Sequence, residues 1–224
     1  MIEIEVKLTF ETPLNIGSGA QHGTFADRAM IKTREGWPYV PASAFKGRLR
    51  HAVEQIAHTR GLSDCVTHRY TCRPERGKPC PVCQVFGSPW VPGQLHFARL
   101  ELVGPRDVVA GLKEMKDLDR VVRTQVRYGV ALSRRRQVSE DKLLYTTELF
   151  EPGERLEFQG TLRGEIERRE AALVMAGLRL IPALGRGKSG GLGWLSATVQ
   201  VREDKQVLDE AALRGAFMEW EGAQ

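Results

Sequence analysis

Residues 2–10, Ile2-Glu3-Ile4-Glu5-Val6-Lys7-Leu8-Thr9-Phe10, carry an apolar side chain at every even position and a polar one between. Successive side chains of a strand point to opposite faces, so this stretch reads as a β-strand with one buried face. Downstream, a glycine-containing loop follows from Pro13. The segment PASAFKGRLRHAVEQIAHTR, starting at Pro41, then reads as a helix. Phe45, Leu49, Val53 and Ile56 fall near one stripe of it, and Ser43 stands where it can cap the start. Residues 95–103, LHFARLELV, form a second strand. Strand character returns at 143–150 and at 155–163, where Leu156, Phe158 and Leu162 alternate with polar residues. Residues 165–181 predict a helix with Ile166, Leu173, Val174, Gly177 and Leu178 inward. A strand at WLSATVQV and a short helix around 208–221 close the chain.

Two stretches interrupt this pattern, one rich in cysteine (about 61–94) and one basic (about 104–142). With both set aside as insertions, the order is β-α-β, β-α-β. That is an α+β chain on the ferredoxin-like plan, shared with RNA-recognition-motif domains, and residues 1–224 read as a single domain. The aromatic RNA-recognition signature is missing, because aromatics total only 7% and no K/R-G-F-G-F-like run occurs. Stacking of bases on the sheet face is therefore not the expected mode.

Composition narrows the setting. Hydrophobic residues at 42% and charged residues at 27% are ordinary for a globular chain and exclude a disordered tail. No apolar run of about eighteen residues is available to cross a membrane. The start, MIEIEVKLTF, lacks the basic and apolar blocks of a secretory signal, so the expected location is the cytoplasm. Thirty-three Lys+Arg against twenty-eight Asp+Glu give a net charge of +5. The basic residues cluster in three groups. Arg120, Arg123, Arg127, Arg134, Arg135 and Arg136 form the first; Lys46, Arg48, Arg50 and His51 the second; Arg186 and Lys188, set among glycines, the third. Each alone reads as solvated surface, but three groups in loop-like or capping contexts point to phosphate binding.

All four cysteines, Cys65, Cys72, Cys80 and Cys83, fall inside nineteen residues. A reducing cytoplasm disfavours disulfides. Cys80-Pro81-Val82-Cys83 is a CxxC knuckle, and thiolates with an imidazole at such spacing suit a closed, structural Zn²⁺ site. Cys65, His68, Cys72, Cys80 and Cys83 are five candidates for four positions. A redox role for the CxxC is the rival reading, but no strand-then-helix start of the thioredoxin kind precedes it.

The run Gly185-Arg186-Gly187-Lys188-Ser189-Gly190 satisfies GxGxxG, and its Gly-Lys-Ser resembles the end of a P-loop. Context rejects both. A P-loop needs glycine where Pro182 stands, and a dinucleotide fingerprint needs strand before and helix after, the reverse of the order here. What remains is a run of backbone N–H groups with Arg186 and Lys188, able to approach a phosphate backbone closely.

Several motifs together resemble the RAMP superfamily of CRISPR systems, and more narrowly the backbone (Csm-type) subunit of type III effector complexes. Pro13-Leu14-Asn15-Ile16-Gly17-Ser18-Gly19 resembles the family's turn after the first strand. Pro41 to Arg50, PASAFKGRLR, resembles its first helix start, and Cys80 to Ser88, CPVCQVFGS, its zinc-knuckle segment. Val126 to Arg134, VRYGVALSR, resembles a further stretch, with Ser133 in place of an acid. Leu184 to Gly193 resembles its C-terminal glycine-rich loop. The motifs span nearly the whole chain in the right order.

The resemblance implies a subunit that polymerises along a CRISPR guide RNA with further copies or paralogues of itself and other type III subunits. Such a subunit holds RNA backbone while base pairing reads the target RNA. The Arg-rich stretch with Arg123, Arg127 and Arg134 would then supply a thumb hairpin that kinks the guide–target duplex. Ser43, Lys46 and Arg50, with Gly185, Arg186, Gly187, Lys188, Gly190 and Gly191, would hold guide phosphates. Cleavage in the family depends on a loop aspartate and a divalent metal, Mg²⁺ or Mn²⁺. The matching position is Asp27, the only carboxylate between Glu11 and Glu35. The plainer reading of Asp27 is a partner for Arg28 or a turn cap, and His22 is a weaker candidate acid or base. Three other readings compete: a non-cleaving scaffold, a stand-alone guide-processing endonuclease using histidine chemistry, and a zinc-dependent module unrelated to RNA.

Overall fold

The computed structural model describes residues 1–17, 26–34, 36–63, 65, 72, 77–103, 122–152 and 156–219. They form a mixed α+β fold with two antiparallel sheets. The strand at Ile2–Phe10 (β1) lies inside the larger sheet, paired along its full length with Leu156–Gly164 (β7) on one side and Leu195–Glu203 (β8) on the other. Its even residues are all buried and its odd ones half-buried, as the alternation requires. Beyond β7 lie Leu100–Val103 (β4) and then Tyr39–Val40 (β2); beyond β8 lies the short Gln206–Leu208 (β9).

The expected single strand at 95–103 is two pieces, Leu95–Phe97 (β3) and Leu100–Val103, both paired with β7. Leu95 faces Gly164 and Glu101 faces Gln159, so the register slips by one residue across Ala98 and Arg99. One extra residue on one strand is a β-bulge, which alternation of side chains alone does not reveal.

Helix Ala42–Thr59 (α1) and helix Arg168–Arg179 (α3) lie side by side, joined by the short Pro81–Phe86 (α2) and the C-terminal Glu210–Glu219 (α4). The core holds the even face of β1, Phe45, Leu49 and Val53 of α1, and Leu173, Val174 and Leu178 of α3. Ser43 does not cap α1. Pro41 takes the N-cap place in extended conformation, so Ser43 falls exposed within the first turn, with no capping bond. At α3 the cap is reciprocal: Glu167 and Glu170 each bond the other's backbone N–H, which satisfies two donors a helix start otherwise leaves open.

The other face of β1 is a ladder of ion pairs. Glu3 pairs with Arg163 at 2.9 Å, Lys7 with Glu157 at 2.7 Å, and Glu5 with Arg202. No aromatic residue stands on β1 there.

The second sheet is a two-stranded ribbon, Val122–Ser133 (β5) with Val138–Pro152 (β6), closed by a turn at Arg134–Gln137. It runs ten residues past the boundary at 142 expected from charge. The expected strand at 143–150 therefore pairs within the ribbon instead of joining the main sheet. Residues 104–121, including Arg120, lie outside the described part.

Helices α1 and α3 approach closely at Gly177, where an added Cβ would sit 2.4 Å from Cγ2 of Val53. Overpacking of this kind costs about 1–3 kcal/mol. Gly177→Ala is expected to lower the thermal midpoint by several degrees, read by circular dichroism. An unchanged midpoint would mean the two helices part without cost.

Candidate metal centre and nucleic-acid interface

The four cysteines converge. Their Sγ atoms all lie within 4.8 Å of one another. Cys65 and Cys72 are 3.3 Å apart and Cys83 and Cys65 3.9 Å. A tetrahedral zinc with Zn–S of about 2.3 Å places its sulfurs about 3.8 Å apart, so the donor set and its size fit. His68 lies outside the described residues, and the cysteines alone supply four ligands.

Local sequence explains the geometry. Pro81 starts α2 directly after Cys80, so the knuckle spans the N-cap and first turn of the helix, with Cys83 buried within it. Val82, Val85 and Phe86 of the same helix enter the main core, and Phe86 stacks on Phe97 at 5.7 Å. Ser63 donates to the Cys80 sulfur at 3.1 Å, and the Cys80 N–H donates to that of Cys72 at 3.1 Å.

Charge supports a cation. Burial, with the neighbouring Cys72, pushes the Cys65 thiol up to about 11. The hydrogen bond to Cys80, then burial, pushes Cys83 up as well, while the same bond with Cys83 pulls Cys80 down to about 4. Without a cation the Cys80 thiolate is favoured while the thiols of Cys65 and Cys83 resist ionising. A dication is what allows all four to ionise together.

The glycine loop is built differently from the open run of N–H groups expected. Lys188–Gly190 forms a 3₁₀ turn flanked by Gly187 and Gly191 in left-handed conformation, which glycine adopts without steric cost. Most of the donors are used internally: Arg186 N–H bonds Asn15 O at 2.8 Å, Gly193 N–H bonds Pro13 O at 2.8 Å, and Gly190, Gly191 and Leu192 bond within the loop. What the loop offers outward is the exposed Arg186, Lys188 and Ser189, beside a half-exposed Trp194. The Arg186 guanidinium lies over Gly17, where a Cβ would come within 2.8 Å of its Cζ.

The other basic candidates are dispersed. Arg50 donates to Glu54 at 2.8 Å and to the carbonyl of Gly87 at 2.8 Å, so it ties α1 to the end of the cysteine segment. Lys46 stands 5.5 Å over the Phe97 ring. Arg127 and Arg134 are exposed on the ribbon and its turn, whereas the side chain of Arg123 lies outside the described part. Val126, Tyr128, Val130 and Leu132 are also exposed along β5, with Tyr128 71% accessible.

Asp27 lies on the surface at the root of the ribbon. Its Oδ2 accepts from the backbone N–H of Thr146 at 2.7 Å and from the Thr146 hydroxyl at 3.0 Å. The backbone bond, then the hydroxyl, holds its carboxyl below the usual aspartate value, so it is ionised at neutral pH. Arg28 does not close on it; its guanidinium stacks 3.8 Å over the Tyr145 ring. The rest of the junction was not singled out by sequence reasoning. Asn15, fully buried, donates from Nδ2 to Arg28 O at 3.1 Å and Glu148 O at 2.6 Å. Glu148 in turn accepts from Met30 N–H and from Lys32. The available signal was a polar Thr146-Thr147-Glu148 run inside a strand. Ser18 to Phe25, with His22, lie outside the described residues. Among those described, the cysteines are the only group of three or more side chains of metal-ligating type.

Two outcomes are expected at the cysteine centre. Protein prepared without chelator carries about one equivalent of zinc, read by elemental analysis. Cys83→Ser loses it and, because α2 is part of the core, loses roughly 4 kcal/mol or more of stability in denaturant titration. Full stability without metal would reassign the cluster.

No curated protein matches the chain. A family model described as the RAMP superfamily matches residues 7–196. That span holds the end of β1, the cysteine cluster, the ribbon and the glycine loop, and the chain belongs to the RAMP superfamily.

Proposed function

We propose that this chain is a guide-RNA-binding backbone subunit of a type III CRISPR ribonucleoprotein that cleaves complementary target RNA through Asp27. Family membership gives a CRISPR-associated RNA-binding role, with RNA and CRISPR complexes as partners. On this reading the core is ferredoxin-like. The chain order β1-α1-β3/β4-β7-α3-β8 and the sheet order β4-β7-β1-β8 support it. The β5–β6 ribbon is the thumb, with Arg127 and Arg134 toward phosphates and its exposed apolar row toward a distorted duplex. Lys46, Arg186 and Lys188 face the guide backbone. The cysteine centre is structural, holding zinc and tying α2 to the core.

The observation that carries the cleavage reading is the placement of Asp27: an exposed, ionised carboxylate where the ribbon leaves the sheet. A single carboxylate fits the way Mg²⁺ or Mn²⁺ is commonly bound, with RNA phosphate oxygens and water filling the other positions. Such an ion, when bound, would polarise the scissile phosphate. The chain's part is to hold the carboxylate at the point where an RNA backbone crosses the ribbon root. The 2′-oxygen then forms the bond to phosphorus while the bond to the 5′-oxygen breaks. The 2′-hydroxyl proton passes to solvent, and the leaving oxygen takes one up.

One observation favours a second reading, a scaffold that binds without cutting. Asp27 has no partner acids in a metal-ligating group among the described residues. Asp27→Ala, assembled with guide RNA and the other subunits, separates the two. The expected result is loss of target cutting by about 10²-fold or more with guide retention unchanged. Cutting at the original rate would leave only the scaffold.

RNA affinity is expected to fall steeply and linearly on a logarithmic salt scale, since phosphate contacts release counterions. Nitrocellulose filter binding at several salt concentrations reads this. A flat dependence would remove the phosphate-binding role of the basic groups.

A further inference from the structure

We propose that Thr146 is the positioning residue for Asp27, fixing one carboxylate oxygen so that the other faces the RNA and its metal. The inference rests on the cleavage reading of Asp27. The geometry that carries it is reciprocal. The Thr146 hydroxyl and backbone N–H both donate to Oδ2, and the same hydroxyl oxygen accepts the Asp27 N–H at 3.0 Å. Both Thr146 donors thus fall on one oxygen, Oδ2, and neither on Oδ1. A carboxylate so held cannot turn about its Cβ–Cγ bond without giving up two bonds to a charged group.

Thr146 sits on a firm support. The chain at 26–30 runs alongside β6: Arg28 N–H bonds Thr146 O at 3.0 Å, Glu148 N–H bonds Arg28 O at 3.1 Å, and Arg28 and Thr147 form a parallel bridge. Asn15 closes the lower end from inside the core. On the ribbon side, the Tyr145 ring lies against Gly129, where a Cβ would come within 2.4 Å of its Cζ, and carries the Arg28 guanidinium on its ring. Arg28, the nearest cation in sequence, is stacked on that ring and does not cover the carboxylate. Threonine suits the place because its branched Cβ is at home in a strand while its hydroxyl both donates and accepts.

The test uses the assembled complex with guide RNA and compares Asp27→Ala, Thr146→Val and Thr146→Ser. Valine keeps the shape and backbone bonds and removes only the hydroxyl; serine restores it. The expected result for Thr146→Val is a single-turnover cutting rate lower by about tenfold, the size of a lost hydrogen bond to a charged group. The Mg²⁺ concentration for half-maximal rate rises, guide and target affinities stay unchanged, and Thr146→Ser stays within about twofold of the parent rate. Wild-type rate and Mg²⁺ dependence in Thr146→Val, with Asp27→Ala inactive, would overturn the role of Thr146 and leave that of Asp27. Equal loss of RNA affinity in the valine and serine variants would make Thr146 a purely structural residue and overturn it too. An Asp27→Ala complex that still cuts removes the cleavage reading and this inference with it.

Discussion

Every residue of β1 is paired on both sides, to β7 and to β8, and the rest of the molecule takes its position from that strand. Five side chains enter the core from it, at roughly 1.5–3 kcal/mol for each large apolar one fully buried. The strand's exit matters as much. Directly after it, Pro13 and Asn15 offer carbonyls to the glycine loop, Leu14 exchanges backbone bonds with Phe150 of β6, and the Asn15 side chain reaches the 26–30 segment. One short stretch therefore connects the sheet, the glycine loop, the ribbon root and the aspartate.

This arrangement explains how the chain combines a buried apolar interior with an extended periphery. The ribbon is a two-stranded sheet with exposed apolar side chains, a structure that does not stand alone in water. It is held at its base through Phe150 and Leu149, both buried, and through the ladder to Arg28 and Glu148. The open face of the main sheet is occupied by the pairs Glu3–Arg163 and Lys7–Glu157. Cross-strand ion pairs leave no apolar platform there for stacked bases.

The cysteine cluster obeys the same logic. Among the described residues between α1 and β3, the one helix, α2, is only six residues long. Four thiols, two of them from the start of that short helix, converge to give the segment a fixed point. Its apolar residues, Val82, Val85 and Phe86, then pack beneath α1. Arg50, read from sequence as a phosphate ligand, closes this joint through Gly87 O and Glu54. A cation in a basic patch serves the fold when the nearest acceptors belong to its own chain.

Much was legible along the chain. The period-two run at 2–10, the helix after Pro41, the apolar stripe around Leu173 and the cysteine spacing each carry their meaning in consecutive residues, because alternation, helical phase and ligand spacing are local quantities. The motif order was sufficient to place the chain in its superfamily. Tertiary structure decided the remainder. It split 95–103 at a bulge, took 143–150 out of the main sheet into the ribbon, and folded most of the glycine-loop donors inward. It also set Thr146 against Asp27, one hundred and nineteen residues away in the chain. Pairing between distant segments depends on which edges are free once the core has closed, and no local pattern records that. The residue types were written in the sequence; which of them meet was determined by burial of β1 and the hydrogen bonds its neighbours then had to satisfy.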